Sequence, residues 1–267
     1  MEHDVRLGKG RGTFVGLLEG AAGRHGVDVA WFCDEWVAEL GRGGRRGHVI
    51  GYAFPLNNFA AGQLARDKVA AARLLGRDGV PRVAHELVRF GTEAADATVA
   101  RAELPVVVKP HDGDSGRDVL RAMDRAGLEA ALGTLAARYR AVALSPYLDI
   151  EDEYRTVVLD GELLLAYRKV RTGTTQWRHN LGHGATPQVC ADPTRLARLG
   201  EPARRAVAAL GLRFATVDVV VAGGQELVLE VNGGVTLTRF AQHSPAYAEL
   251  ALDVYDRAIG AWVSDAG

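Results

Sequence analysis

The run ATVDVVVAGGQELVLEVN (215–232) constrains this chain more than any other segment. Two stretches rich in β-branched residues flank Gly223-Gly224, a dipeptide suited to the tight turn of a β-hairpin. Both stretches are apolar enough to be buried, yet the first carries Asp218 and the second carries Glu230 and Asn232. A buried carboxylate is costly unless it is paired or binds a cation. A hairpin sets the two strands side by side, and strand alternation puts Glu230 and Asn232 on one face. Two carboxylates and an amide oxygen form a hard-oxygen set suited to Mg²⁺, which keeps some waters and completes its shell with phosphate. From the residues alone a second reading stays open, with Asp218 a polar residue at a strand edge and Glu230 paired with an arginine.

The opposite charge comes from two lysines. Asp67 is a favoured N-cap, and DKVAAARLLGRDGV after it predicts a strong helix with Lys68 in its first turn. A lysine there opposes the helix dipole, which hints at an anionic partner. LPVVVKP (104–110) reads as a buried strand that ends on Lys109. The polar loop HDGDSGRDV follows, with Gly113, Ser115 and Gly116. Glycines let backbone N–H groups approach phosphate oxygens closely, although the glycine-lysine-serine/threonine ending of a Walker loop is missing. Arg155 and Arg168 lie on the two arms of a hairpin predicted around Asp160-Gly161, and Arg178 and Asn180 come soon after. Arginine binds carboxylate or phosphate in bidentate geometry.

The remaining segments read as follows. Helical patterns cover 12–25, 128–140, 195–210 and 245–263. Strands cover 27–32, 48–54, 80–88 and 141–148. GRGGRRG (41–47) reads as a flexible basic surface loop. Hairpins mixed with helices argue for antiparallel α+β layers rather than a doubly wound parallel sheet. Cys33 and Cys190, two unclustered thiols, make neither a disulfide framework nor a zinc site. A formal net charge of −1 gives no overall field toward nucleic acid or an anionic membrane. The first residues lack the apolar core of a signal peptide, and no apolar run is long enough to cross a bilayer. The expected location is therefore the cytoplasm, with neither nucleic acid nor membrane as partner.

Taken in order, DKVAAARLLGRDGVP, LPVVVKPHDGDSGRDV, ALSPYLDIEDEYRTVVLDGELLLAYRKV, WRHNLGHGA and ATVDVVVAGGQELVLEVNGG resemble the ATP-grasp superfamily, most closely its RimK-type carboxylate–amine ligases. The resemblance implies an α+β ATP-grasp fold, two α+β lobes gripping ATP, with a short N-terminal α/β lobe. The expected boundaries are 1–66 for that lobe and 67–267 for the ATP-grasp domain. Within the latter, 67–144 is the first lobe with its phosphate flap, and 145–267 is the second lobe with hinge and metal site. Lys68 and Lys109 are then expected on the ATP phosphates, under a flap carrying Gly113, Ser115 and Gly116. The hinge is Ser145, Pro146, Tyr147 and Leu148, with Glu153 as ribose ligand. Asp218, Glu230 and Asn232 are the implied ligands of two Mg²⁺ ions, for which Mn²⁺ can substitute. Arg155, Arg168, Arg178 and Asn180 match positions near the transferred phosphoryl group and the substrate carboxylate.

Three departures bear on the adenine contact and on the substrate. Ser145 stands where many relatives carry Gln or Glu. GGVTL follows Asn232 in place of serine-proline-glycine. The N-terminal lobe is short, so a dimer partner or an open cleft is expected to compensate. The implied activity is ATP-dependent amide or peptide bond formation through an acyl phosphate, on small-molecule, amino-acid or peptide carboxylates and amines. A catalytically silent ATP-binding module, or ATP-dependent phosphoryl transfer without ligation, is the alternative.

Overall fold

The structure, a computed structural model, describes residues 11–113, 116–171, 181 and 184–265. In chain order the elements are α1 (Arg11–Arg24), β1 (Asp28–Phe32), β2 (Val37–Arg42), β3 (Arg45–Ile50), α2 (Phe59–Arg66), α3 (Lys68–Arg77), β4 (Glu86–Arg89), α4 (Glu93–Arg101), β5 (Val106–Pro110), β6 (Leu120–Ala122), α5 (Arg125–Ala136), β7 (Ala141–Pro146), β8 (Asp152–Leu159), β9 (Glu162–Val170), β10 (Thr186–Val189), α6 (Pro193–Ala209), β11 (Phe214–Ala222), β12 (Gln225–Asn232), α7 (Thr238–Ala241) and α8 (Pro245–Ser264). The strands form three antiparallel sheets, ordered β1-β2-β3, β4-β7-β5-β6 and β10-β9-β8-β11-β12. This is the expected α+β architecture.

Each sheet is placed by its apolar face. On the five-stranded sheet, Val157, Leu165, Tyr167 and Phe214 pack into one core with Phe14 and Leu18 of α1, Leu40 and Val49 of the first sheet, and Val254, Tyr255 and Trp262 of α8. Its other face, with Val158, Ala166, Val217 and Val219, packs on Ala65 of α2, Leu75 of α3 and Leu199, Ala203 and Val207 of α6. The four-stranded sheet turns Val106, Val108, Val142 and Leu144 toward α4 and α5. Strand alternation therefore turns Lys109, Ala143 and Ser145 to the opposite face.

Both predicted hairpins form. Asp160-Gly161 and Gly223-Gly224 all adopt positive φ (48°, 80°, 56° and 74°), the conformation of a two-residue turn that matches strand twist. The stretch 41–47 differs from expectation, because it is not a flexible loop. It is the heart of the β2–β3 hairpin, with the turn confined to Gly43-Gly44 at φ 56° and 82°. Gly47 is a packing residue, since a Cβ there would meet Trp262 Nε1 at 2.7 Å. The expected extended segment 80–88 joins the four-stranded sheet only from Glu86 onward. Its earlier part runs beside β12, through Val83 N–H to Val228 O and Val228 N–H to Pro81 O, both 2.9 Å.

Asn57 ties three segments together. Its Oδ1 accepts from Arg213 N–H (2.8 Å) and Phe214 N–H (3.0 Å), and its Nδ2 donates to Phe214 O (2.6 Å) and Gly233 O (3.2 Å). Asn57→Ala leaves these backbone groups unpaired and is expected to lower the unfolding free energy by about 3 kcal/mol, at about 1 kcal/mol per lost bond with partial rehydration. Urea denaturation followed by circular dichroism measures it, and a change within 0.5 kcal/mol, the size of about one weak hydrogen bond, would contradict it.

Candidate active site

Asp218 is 5 % exposed, and two strands supply its counter-ions. Arg155 of β8 grips it in a fork, Nε to Oδ1 and Nη2 to Oδ2, each 2.9 Å. Lys169 of β9 places Nζ 3.0 Å from Asp218 Oδ1 and also bonds Glu153 Oε1. Burial pushes the Asp218 carboxyl up, but the charges and hydrogen bonds of Arg155 and Lys169 outweigh it and hold the group well below the usual carboxylate range. Burial likewise opposes the charge of Lys169, while Asp218 and Glu153 overcome it and raise that lysine.

The register of β11 with β12 sets Glu230 directly opposite Asp218 and Asn232 opposite Thr216. Lys68 closes on Glu230 from α3, Nζ to Oε1 3.2 Å. Asp67 caps this helix by accepting from Val69 and Ala70 N–H, both 3.0 Å. Lys68 Nζ also donates to the carbonyl of Gly113, and its N–H donates to His111 O at 2.9 Å, so α3 is tied to the loop after β5. Gly116 of that loop has φ 66°.

Lys109 completes the group. It is 8 % exposed and makes neither hydrogen bond nor ion pair with any described residue. Burial pulls its ammonium down to about 8, against the attraction of Glu230 and with the repulsion of Lys68; Glu153 and Asp218 are also near enough to act on it. The hinge residues mark the crossing from one sheet to the next. Ser145 is buried at the end of β7, Tyr147 N–H bonds Pro105 O at 3.0 Å, and after Pro146 and Leu148 the chain joins the five-stranded sheet, where Glu151 N–H meets Val221 O at 2.9 Å.

The structure thus brings together Lys68, Lys109, Glu153, Arg155, Asp218 and Glu230, with Asn232 two residues further along β12. It does not bring Arg168 to them. A bulge between Val157 and Val158 pairs Arg155 with Tyr167 and Tyr154 with Arg168, which carries Arg168 to the opposite face. There it pairs with Asp152 at 3.0 Å. Ser115, Arg178 and Asn180 lie outside the described residues. Two participants were not singled out from sequence. Neither Lys169 nor His85 has a local pattern in the sequence that marks it. His85 is 3 % exposed, with Nδ1 3.0 Å from Val83 O and Nε2 buried without a partner among the described residues.

As a cation site the cluster is partly committed. A carboxylate has about four lone-pair sites; on Asp218 three are taken, by Arg155 Nε, Arg155 Nη2 and Lys169 Nζ. Glu230 keeps one oxygen outside its bond to Lys68, and the Asn232 side chain makes no hydrogen bond among the described residues. Those groups, with the last lone pair of Asp218, fit a hard cation that takes most of its shell from water and phosphate. No three of His, Cys, Asp and Glu gather as a metal site among the described residues.

The fold is that of the ATP-grasp ligases. It resembles D-alanine–D-alanine ligase from Bacillus anthracis, with a TM-score of 0.62 and 20% identity over 79% of this chain and 72% of that one. It also resembles L-amino acid ligase from Bacillus licheniformis, with a TM-score of 0.54 and 20% identity over 69% of this chain and 44% of that one. Residues 65–252 match the RimK-like ATP-grasp domain, so the chain belongs to the RimK-like ATP-grasp family, which implies the use of ATP. Among curated relatives, a probable alpha-L-glutamate ligase of Enterobacter sp. (strain 638) is 29% identical over 67% of this chain and 59% of its own length. D-alanine–D-alanine ligase B of Xanthomonas campestris is 31% identical over 76% of this chain and 66% of its own length. The chain therefore spans less than two thirds of these relatives. Among the described residues no helix is long and apolar enough to cross a membrane.

Burial lowers the His85 imidazole to about 3, with Lys109 adding to the effect. The unfolded chain binds this proton below the ordinary value of 6.5, and the folded chain does not until about 3. Stability is therefore lost as pH falls through that window, by up to about 1.4 kcal/mol per pH unit from this residue. Urea titrations of the protein and of His85→Gln between pH 4 and 6.5 are expected to show a shallower slope in the variant. Equal slopes would mean that the buried ring titrates normally.

Proposed function

We propose that this protein is an ATP-dependent carboxylate–amine ligase that forms an amide through an acyl phosphate and releases ADP and phosphate. The observation that carries the reading is the uncompensated charge of Lys109. Glu230 has Lys68, Asp218 has Arg155 and Lys169, and Glu153 has Lys169, so four cations meet three carboxylates. A nearly buried ammonium left over beside them suits an anion from outside, such as the polyphosphate of ATP.

The chemistry follows from what a carboxylate lacks. Its oxygen is a poor leaving group until the γ-phosphoryl of ATP is placed on it. An amine then adds to the acyl carbon, and phosphate departs with the C–O bonding pair. Phosphoryl transfer requires positioning and charge neutralisation more than covalent help from the protein. Lys68 and Lys109 would bind the phosphates. The 145–148 crossing would border the adenine, and Glu153 the ribose. Arg155 would stand near the transferred group. A Mg²⁺ ion at Glu230, Asn232 and the remaining lone pair of Asp218 would offset charge on the phosphate oxygens. Acyl phosphates hydrolyse, so the glycine loop after β5 would have to exclude water. The substrates would be small-molecule, amino-acid or peptide carboxylates and amines. The ligase names of the relatives support this class.

ATP-dependent hydroxamate formation in the presence of hydroxylamine, screened over amino acids and short peptides, tests the reaction. ADP release without hydroxamate would point to phosphoryl transfer without an acyl phosphate. Glu230→Ala is expected to abolish ADP release with the circular dichroism spectrum unchanged, and wild-type-like turnover would remove Glu230 from the metal site. Lys109→Ala is expected to weaken ATP binding roughly tenfold or more, the loss of one hydrogen bond to a charged group. Calorimetry showing unchanged affinity would refute that role.

A further inference from the structure

Lys109 raises a question that its role on phosphate does not answer. A lysine is a point charge on four rotatable carbons, so something must aim it. The carboxylates around it are committed: Asp218 to Arg155 and Lys169, Glu153 to Lys169, and Glu230 to Lys68. A further carboxylate would aim Lys109 but would also neutralise the charge intended for the nucleotide. A neutral acceptor would aim it and leave the charge intact.

His85 has those properties. It immediately precedes β4, whose first registered pair is Glu86 with Leu144, so it lies beside the Ser145 end of β7. Leu87, Ala143 and Lys109 form one row across β4, β7 and β5. Two residues before Leu87, His85 shares that row's face. Between β4 and β5, β7 presents Ala143 and Ser145 on this face, both small side chains. A carbonyl oxygen accepts hydrogen bonds, so the ring nitrogen facing Val83 O at 3.0 Å must carry the proton. Nε2 is then a bare lone pair, and it is buried with no partner among the described residues. The ring stays neutral far below physiological pH, because burial lowers it to about 3. Lys109 is the nearby cation that acts on it most, followed by Lys68 and Arg82. Lys68 already serves Glu230 and Gly113; Arg82 Nε is also buried without a partner among the described residues, but its guanidinium lies against Gly76 of α3, where a Cβ would meet its Nη2 at 2.1 Å.

We infer that His85 is the positioning residue of Lys109, its Nε2 accepting a hydrogen bond from the ammonium and directing the remaining N–H groups to the nucleotide phosphates. The phosphate part of this inference rests on the proposed function; the pairing of the two side chains does not. A buried acceptor without a partner among the described residues gains by meeting a cationic donor, because left alone it bears the full cost of desolvation.

The test compares the full chain with His85→Leu, His85→Gln, Lys109→Ala and the His85→Leu/Lys109→Ala double variant. Glutamine Oε1 stands close to where Nε2 was, so His85→Gln keeps an acceptor. Calorimetry with a nonhydrolysable ATP analogue is expected to show roughly tenfold weaker binding for His85→Leu, near-wild-type binding for His85→Gln, and no further loss when His85→Leu is added to Lys109→Ala. Affinity within twofold of wild type for His85→Leu, or the same tenfold loss in both backgrounds, would overturn the inference. A second readout needs no nucleotide. Loss of the acceptor favours the neutral amine, so Lys109 in His85→Leu is expected to react several-fold faster with an amine-acylating reagent at fixed pH, scored by peptide mass spectrometry. An unchanged labelling rate would overturn the pairing, including in the case where the wild-type protein fails to bind ATP and the proposed function falls. His85→Met, also without a ring acceptor, takes the place of His85→Leu if that variant does not fold.

Discussion

Removal of the Asp218 carboxylate from water is the constraint around which the centre of this molecule is built. A charge at that depth is tolerated only with charge-assisted hydrogen bonds in good geometry. Arg155 and Lys169 provide them from two neighbouring strands. Arg155 faces Asp218 through the unbroken register of β8 with β11, but Lys169 would not be in place if the β8–β9 hairpin ran in unbroken register. From the turn at Asp160-Gly161, Leu159 pairs with Glu162, and an uninterrupted ladder would set Arg155 against Ala166. The bulge that skips Leu164 advances the partner strand by one residue, bringing Tyr167 opposite Arg155 and Lys169 onto its face. The second hairpin repeats the device. Val219 pairs with Val228, but across the bulge Asp218 meets Glu230 instead of Leu229. A slip of one residue exchanges the faces of everything beyond it, so two such slips assemble the cluster.

The lysines extend the same logic to the neighbouring sheet. Lys68 stands at a helix N-terminus, where the backbone dipole disfavours a cation. Its ammonium escapes that position by reaching Glu230 and the Gly113 carbonyl, which also joins α3 to the loop after β5. The Lys109 side chain extends from the centre of a four-stranded sheet whose other face is sealed by α4 and α5. The charged face of one sheet is therefore completed by residues from the other, across the short crossing at 145–148.

Much of this was legible in the sequence because the signals were local. Asp67 marks its helix through a side-chain cap, and Asp160-Gly161 and Gly223-Gly224 mark their hairpins through left-handed backbone that glycine and aspartate tolerate. What was not legible depends on partners distant in the chain. Gly47 looks like loop composition until Trp262 is seen lying over it. A bulge has no strong residue signature inside a run of valines and leucines, so Arg168 and Lys169 could not be told apart by alternation from the turn. The short helices α2 and α4, rich in alanine, carry too narrow an apolar stripe to stand out. His85 sits in a stretch whose pattern says only that it is extended, and its burial is set by sheet packing.

The core that holds the five-stranded sheet in place also contains α1 and α8, with Phe14 edge-on to Tyr255 at 5.5 Å. These helices are some 230 residues apart in sequence, as Arg24 and Asp253 illustrate by their contact at 3.1 Å. During translation α1 therefore emerges with only part of its packing surface at hand, the neighbouring first sheet, while α8 follows much later. Phe14, Leu18, Ala21 and Ala22 complete their burial only when α8 has left the ribosome. Closure of this long-range seam is a late event of biosynthesis, and ribosome pausing between the two helices would prolong the interval in which the chain is open to aggregation.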